Sequence, residues 1–385
     1  MMVDSVDSKE CCLCGNCKLV CPTQAITFSK KENNFFYPNI DFEKCIECNK
    51  CEKVCPVLKP VEQQDLLKSY AIKNKEVDEL KKSSSGGVFV ALAQSVLAEN
   101  GIVYGAAFCA DFKVRHVAIN SEKELHRLQG SKYVQSKLGD VFEEIKQYLR
   151  QGKTVLFSGS PCQTAGLKSY LGEEKTNGIL YSVDFICHGI LSENLFQEYI
   201  KYLENRRRSK VISFCFRDKT YGWVDSGPRI EYENGKSDHW PLYEDLYMQG
   251  YFQGLCMRES CYTCTFKNYR SGSDLTMGDF WGAEQLMPDF YDKNGVSLLC
   301  IQTRRGEELF NKAKEKFTIR EEDIDILAKY NQGLFYPFNK GSKSALFNEL
   351  AQKEGYMKAL EETCKLSRME KIKRFYRRLK RKLYI

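Results

Sequence analysis

Four cysteines, Cys11, Cys14, Cys17 and Cys21, stand in the order C-x2-C-x2-C-x3-C and are closed by Pro22. The same spacing returns at Cys45, Cys48, Cys51 and Cys55, closed by Pro56. Three thiolates at these intervals can wrap one face of a cubic iron–sulfur cluster. The proline that follows ends the turn and sends the fourth thiolate across to a partner cluster. The spacing assigns Cys11, Cys14, Cys17 and Cys55 to one 4Fe–4S cluster and Cys45, Cys48, Cys51 and Cys21 to another. Paired C-x2-C units also build zinc ribbons, but two full runs, both closed by Cys-Pro, weigh against zinc. Cys12 falls outside the pattern and reads as a neighbour of the ligands. Clusters of this kind carry single electrons, so a two-cluster ferredoxin module by itself would be a wire.

A separate pair, Cys261 and Cys264 in "SCYTCTF", has no second pair beside it. A four-thiolate site there needs two ligands from elsewhere. "TVLFSGSPCQ" reads as a strand from Thr154 to Phe157 that runs into a loop holding Cys162. "QTAGLKSYL" reads as a short helix, and "ILYSVDFICHG" as a second strand ending at Cys187. Strand, helix and strand at this spacing make a βαβ unit with parallel strands. Both cysteines then lie just past the carboxyl ends of those strands, the edge of an open α/β sheet where ligands collect. Cys162 and Cys187 are the proposed partners of Cys261 and Cys264 in a third cluster. Cys256, five residues before Cys261, is the rival for the place of Cys162 or of Cys187, and a buried cysteine taken singly is more often a packing residue.

Upstream, "SYAIKN" reads as a strand, and Val88, Leu92, Val96 and Leu97 give a helical stripe that starts after Ser83–Gly87 and stops at Gly101. "IVYGAAF" and "VRHVAI" read as neighbouring strands, and "KELHRLQGSKYVQS" and "VFEEIKQYLRQG" as helical or turn segments. The Ser/Gly cluster at the helix start is either a phosphate cradle or a helix cap. No G-x-G-x-x-G or Walker-type loop is present.

"SSSGGVF", "GSKYVQS", "FSGSPCQ", "DFICHG", "SCYTCTF" and "SDLTMGDFWG" occur in that order. Together they resemble the coenzyme F-420 hydrogenase/dehydrogenase beta-subunit family, in its bacterial form with an N-terminal two-cluster ferredoxin module. The resemblance implies an α/β (mixed α+β) flavoprotein body that binds FAD beside a 4Fe–4S cluster. Its cluster ligands correspond to Cys162, Cys187, Cys261 and Cys264, and its flavin contacts to Ser85, Gly86, Gly87, Lys132 and Tyr133, with Asp279 near the site. The family's acceptors include coenzyme F-420 and chlorophyll-type rings, and its bacterial members are often found with surface-polysaccharide genes. The small-molecule substrate does not carry over.

These readings divide the chain into a ferredoxin domain at 1–62, a flavin-side domain at 63–152, a third-cluster domain at 153–345 and a basic helical tail at 346–385. The expected function is an iron–sulfur flavoprotein oxidoreductase that passes electrons between a ferredoxin-like partner and an organic acceptor, in either direction. The alternative is an electron-transfer subunit of a larger redox complex, with a link to polysaccharide synthesis and no turnover of its own. His188, beside Cys187, is a candidate proton relay or a structural histidine.

Composition limits the remaining classes. Of the 385 residues, 43% are hydrophobic and 28% charged, as in ordinary globular domains. No apolar run reaches the ~18 residues of a membrane span, and the polar start does not read as a secretory signal. A cytoplasmic protein with metal-binding cysteines is expected. The net charge of +7 sits in residues 365–385, where ten Lys/Arg face one Glu. There Leu366, Met369, Ile372, Tyr376, Leu379 and Leu383 recur at helical spacing, a pattern suited to peripheral contact with an anionic membrane. Outside the tail the chain is close to neutral, with 48 basic and 50 acidic residues, and a zinc-dependent nucleic-acid binder using the tail is not expected because the Cys-Pro closures argue against zinc.

Overall fold

The computed structural model describes Val6 and residues 9–31 and 33–365. The amphipathic stripe expected from Leu366 onward lies outside the described residues. Among the described residues thirteen strands form three sheets. A hairpin of β1 (Ile26–Lys30) and β2 (Phe36–Ile40) belongs to the cysteine-rich module. The main sheet then begins with β3 (Lys68–Asn74), β4 (Ile102–Phe108), β5 (Val114–Ile119), β6 (Thr154–Gly159) and β7 (Ile179–Phe185). The chain leaves it for a small antiparallel sheet of β8 (Val211–Asp218), β9 (Gly227–Tyr232) and β10 (Ser237–His239). It returns with β11 (Leu275–Asp279), β12 (Ser297–Ile301) and β13 (Phe317–Glu321).

The main sheet runs β13-β3-β12-β11-β7-β6-β4-β5. Its centre, β11-β7-β6-β4, is parallel, and the pairings outside it are antiparallel. Both faces are buried, and the two-residue period of the strands sorts their side chains between two cores. Leu156, Tyr181 and Val183 pack with the helices Val88–Ala98 and Arg304–Ala313. Val155, Phe157 and Leu180 pack on the opposite face with the helices Val141–Arg150 and Pro161–Leu171. The expected strands, their parallel pairing and the stripe of the Val88–Ala98 helix all appear. Residues 63–152 and 153–345 both contribute strands to this one sheet, with β3 of the first lying between β13 and β12 of the second.

Cys162 differs in its local setting from the loop expected for it. It lies in the first turn of the Pro161–Leu171 helix, where Ser160 is the N-cap, Pro161 the first helical residue and Gln163 the closing member of a capping box. The small sheet packs against helices Glu193–Arg207, Leu246–Phe252 and Tyr356–Thr363 in an aromatic core that includes Phe196, Phe214, Phe216, Tyr199 and Tyr247. No helix among the described residues is long and apolar enough to cross a membrane.

The cysteine-rich module is fastened to this body by buried polar contacts. Arg258, with none of its surface exposed, donates to the carbonyl oxygens of Cys11 at 2.6 Å and Phe36 at 2.9 Å and to Oε1 of Gln135 at 3.3 Å. Its guanidinium also lies 4.4 Å from the ring centre of Tyr37 and 5.4 Å from that of Phe35. Asn16 adds a second tie. Its Nδ2 donates at 2.8 Å both to Val54 O within the module and to Gly166 O of the body. At Gly166 an added Cβ would come within 2.7 Å of Cys14 Cβ, so the helix approaches the module closely only because this residue has no side chain.

Arg258→Met keeps the apolar stem and leaves the carbonyls of Cys11 and Phe36 without their donor. The expected cost is about 2–4 kcal/mol. Cleavage in limited proteolysis should quicken along the connector at residues 60–67, and resistance equal to wild type would contradict the docking role.

Candidate metal centre and cofactor cavity

The four-cysteine runs fold as a compact unit against helix Pro161–Leu171. Cys17 and Cys55 are buried together, with Cys11, Cys21 and Cys51 packed around them. Burial and the nearby sulfurs of Cys11, Cys55 and Cys51 push the Cys17 thiol up to about 12. Cys14 is also buried, but it packs on the body side with Cys12, Ala165 and Phe266. At the other end of the module Cys48 is exposed and Cys45 and Cys51 are half-buried. Exposed Phe42 and Ile46 flank that outer loop.

The second group forms in the body. Cys187 follows the end of β7, Cys162 opens the helix after β6, and Cys261 lies in the short helix Glu259–Tyr262 with Cys264 just beyond it. Their sulfurs share one electrostatic environment. Burial and the sulfurs of Cys187, Cys162 and Cys264 push the Cys261 thiol well up. Burial raises Cys187 to about 12 against the pull of the Lys267 ammonium, with Cys162 and Cys264 adding to the rise. Burial and Cys162 raise Cys264 to about 11. Cys256 is placed elsewhere, buried in the aromatic core with Cys364 as its sulfur neighbour.

This donor set has a chemical meaning. Buried thiols that repel one another as anions need a cationic centre to hold them deprotonated. Among the described residues no group of three or more Cys, His, Asp or Glu side chains is already placed to hold a metal ion. A cubane would bind each thiolate through a different iron at a different corner.

A cavity of about 450 Å³ opens beside Cys162 and Cys187. Its floor is the carboxyl edge of the parallel strands, with Ala106 of β4, Gly159 of β6, Phe185 of β7 and Asp279 of β11. Of the flavin contacts carried by the resemblance, Ser85, Gly87, Lys132, Tyr133 and Asp279 line it, and so does His188. Gly86 supports the wall from behind. A Cβ there would meet Ile72 O at 2.5 Å and Ser297 N at 2.6 Å, so only glycine lets the Ser83–Gly87 loop lie flat on β3 and β12. The serines do not cap the following helix, whose N-cap is Gly87 in a left-handed conformation at φ 77°. Ser84 instead accepts from the Ser131 N–H at 2.8 Å, tying the serine loop to the loop that carries Lys132.

Lys132 lies deep in the fold but keeps some accessible surface because it faces the cavity. Burial pushes its ammonium down to about 7, while Nζ donates to the carbonyls of Gln129 at 2.8 Å and Arg127 at 3.3 Å. Burial and the Lys267 ammonium push His188 down to about 4, and its ring packs edge-on to Phe338. His116 is lowered to about 4 by burial, and both of its ring nitrogens are engaged, by Ser136 and by Ser158 O.

The opposite wall holds residues that pattern reading missed. Arg217 pairs with Asp279, with Nη1 at 2.9 Å from Oδ2, and donates from Nε to Ser226 at 3.1 Å. Asp279 also accepts from the Trp223 indole at 2.8 Å. Its carboxylate is committed to fixing these neighbours. Trp223 stacks on Trp281 at 4.9 Å, and the Arg217 guanidinium lies 5.2 Å from the ring centre of Trp281. Asn331 donates to Asp279 O at 3.0 Å, and its buried Oδ1 accepts no hydrogen bond. Asn331 is one of the residues that line the cavity.

Residues 152–326 match the family described as the C terminus of the coenzyme F420 hydrogenase/dehydrogenase beta subunit. Residues 10–58 match a 4Fe-4S dicluster domain. The chain thus joins a dicluster ferredoxin module to the C-terminal domain of the coenzyme F-420 hydrogenase/dehydrogenase beta-subunit family. It is an iron–sulfur electron-transfer protein with that ferredoxin module at its N-terminal side. No curated protein matches it. Among solved structures it is similar to a chain from the F420-reducing NiFe hydrogenase complex of Methanosarcina barkeri, with 17% identity and a TM-score of 0.46. That likeness covers 78% of this chain and 92% of the other. The matched 152–326 segment carries Cys162, Cys187, Arg217, Cys261, Cys264 and Asp279. The serine loop and Lys132 lie upstream of it, so the cavity is completed from outside the matched segment.

Asp279→Ala would strand the Arg217 cation beside the cavity and should cost about 3–5 kcal/mol in urea unfolding. The double replacement Arg217→Met with Asp279→Leu should recover most of that loss. Equal stability of the single variant and wild type would show that the pair does not hold the wall.

Proposed function

We propose that this chain is an iron–sulfur flavoprotein oxidoreductase that connects a ferredoxin-type partner to an organic acceptor. The observation that carries the proposal is the meeting of Cys162, Cys187, Cys261 and Cys264 at the edge of a cavity lined by Ser85, Lys132, Tyr133 and Asp279. Cys11, Cys14, Cys17 and Cys55 would hold one 4Fe–4S cluster, and Cys45, Cys48, Cys51 and Cys21 another. The body's four cysteines would hold a third, and the cavity FAD. When bound, the clusters supply one-electron transfer and the flavin links it to two-electron chemistry on an organic molecule.

The protein's own residues divide the remaining work. The Ser83–Gly87 loop and the N-terminus of helix Val88–Ala98 offer the Ser84 hydroxyl and a positive helix end to a phosphate. Lys132 serves the same phosphate, and a dianion beside it would reverse the downward shift that burial imposes. Asn331 offers its unpaired acceptor to a polar ring edge, and the Arg217–Asp279 pair keeps the Trp281 wall in place. His188, held neutral near pH 7, serves as a packed ring beside Cys187, and no proton transfer is assigned to it.

Three features support a ferredoxin-type partner at the module's outer end: the exposed Cys48 and, around it, exposed Phe42 and Ile46. An acceptor would enter at the cavity mouth, where Val224 and Phe252 are about half exposed. Whether that acceptor is coenzyme F-420 or another small molecule is left to the mouth's own specificity. We place the chain in the cytoplasm, with the basic tail as its contact with anionic lipid.

The test is iron, acid-labile sulfide and flavin per chain in anaerobically purified protein. The expected result is about 12 irons and one FAD per chain, with Cys261→Ala losing about four irons and Gly86→Ala losing flavin absorbance but no iron. About eight irons and no flavin would reduce the chain to an electron-transfer subunit.

A further inference from the structure

Cys12 belongs to neither four-cysteine run nor to the third set, yet it lies where the first run meets the third set. It is buried and packs with Cys14, Ala165, Phe266, Cys162 and Cys264. Its thiol shares one packed cluster with those of Cys14 and Cys162. It also forms part of the cavity lining.

The backbone around it is fixed from the body side. Gln135 Nε2 donates to Cys12 O at 3.4 Å, and Arg258 holds the adjoining Cys11 O at 2.6 Å. Leu13 then takes a left-handed φ of 58°, which a leucine adopts only at a cost. Cys12 and Cys14 thereby share one pocket against helix Pro161–Leu171.

We infer that Cys12 is a positioning residue that joins the two iron–sulfur regions, with its S–H placed between the sulfurs of Cys14 and Cys162. The inference rests on the ligand assignment proposed above. A hydrogen bond to a cluster sulfur favours the more negative, reduced cluster and so raises its potential. With Cys14 assigned to the first cluster and Cys162 to the third, Cys12 is a thiol outside both ligand sets that packs with a ligand of each. Its removal should lower a midpoint potential without removing metal.

The experiment compares wild type, Cys12→Ala and Cys12→Ser as full-length, anaerobically loaded proteins. The readouts are iron per chain and a redox titration followed by electron paramagnetic resonance. The expected result is unchanged iron in all three. In Cys12→Ala the midpoint of the centre bound by Cys162 should move to a more negative value, and Cys12→Ser, which keeps a donor, should move back toward wild type. Loss of about four irons in Cys12→Ala would make Cys12 a ligand and overturn the inference. Full iron with unmoved midpoints would overturn it as well. A merely structural role would change thermal stability alone. A wild type holding about eight irons would count against the ligand assignment and not against the contact made by Cys12.

Discussion

The arrangement depends on one buried cation. Arg258 has no exposed surface, and taking a guanidinium out of water is costly unless its donors are met. Its partners are two main-chain oxygens, a side-chain amide oxygen and the faces of Tyr37 and Phe35, all supplied when the cysteine-rich module docks. The planar fork matches this spread of acceptors, whereas a lysine could reach them only from a single point. Arg258 also lies just before Cys261 in the chain, and its N–H bonds to Ile190 O, just after Cys187. One residue therefore registers the Cys11 loop against two of the body's four thiols. A small displacement of the module would break several contacts at once, which makes the docking all-or-none in character.

Burial of the cysteines is graded along the molecule. Cys48 faces solvent, Cys17 and Cys55 are enclosed within the module, and Cys12 and Cys14 are enclosed between module and body. Cys162 and Cys187 then border the cavity. Such a gradient suits electron exchange with a macromolecule at one end and a water-poor pocket at the other. The pocket falls at the carboxyl edge of β4, β6, β7 and β11 for a topological reason. The connections that follow these parallel strands splay apart there and leave a crevice, and the helix N-termini point into it.

Much of this could be read in the sequence because it depends on short-range rules. The βαβ unit that brings Cys162 near Cys187 follows from the short apolar runs in "TVLFSG" and "ILYSVDF" on either side of a helical segment, and the module from its cysteine spacing. What escaped reading depends on breaks in those rules. In β8 Phe214 and Phe216 follow the inward alternation, so Arg217 should point outward. A register shift between Cys215 and Asp218 turns it inward as well, leaving Phe216 and Arg217 both buried. No periodic pattern can announce a bulge of this kind. Asn331 and Cys12 were hidden for a different reason, since each acquires its place only through partners far away in the chain.

The body's four thiols come from three segments, and no short loop pre-assembles them as a ferredoxin loop does. They meet only when β6, β7 and the Glu259–Tyr262 helix are already in place, so the site is a product of folding. Their mutual repulsion and burial raise the thiols, so a cationic cluster loaded there would release protons. The binding energy of the proposed cluster would add to the stability of the sheet edge that gathers its ligands. The ferredoxin-type loops carry most of their ligands locally and need less of the fold to form. Two kinds of site thus share one chain: one defined by local sequence, the other by tertiary structure. Arg258 and Asn16 are the residues that make the second kind sit against the first.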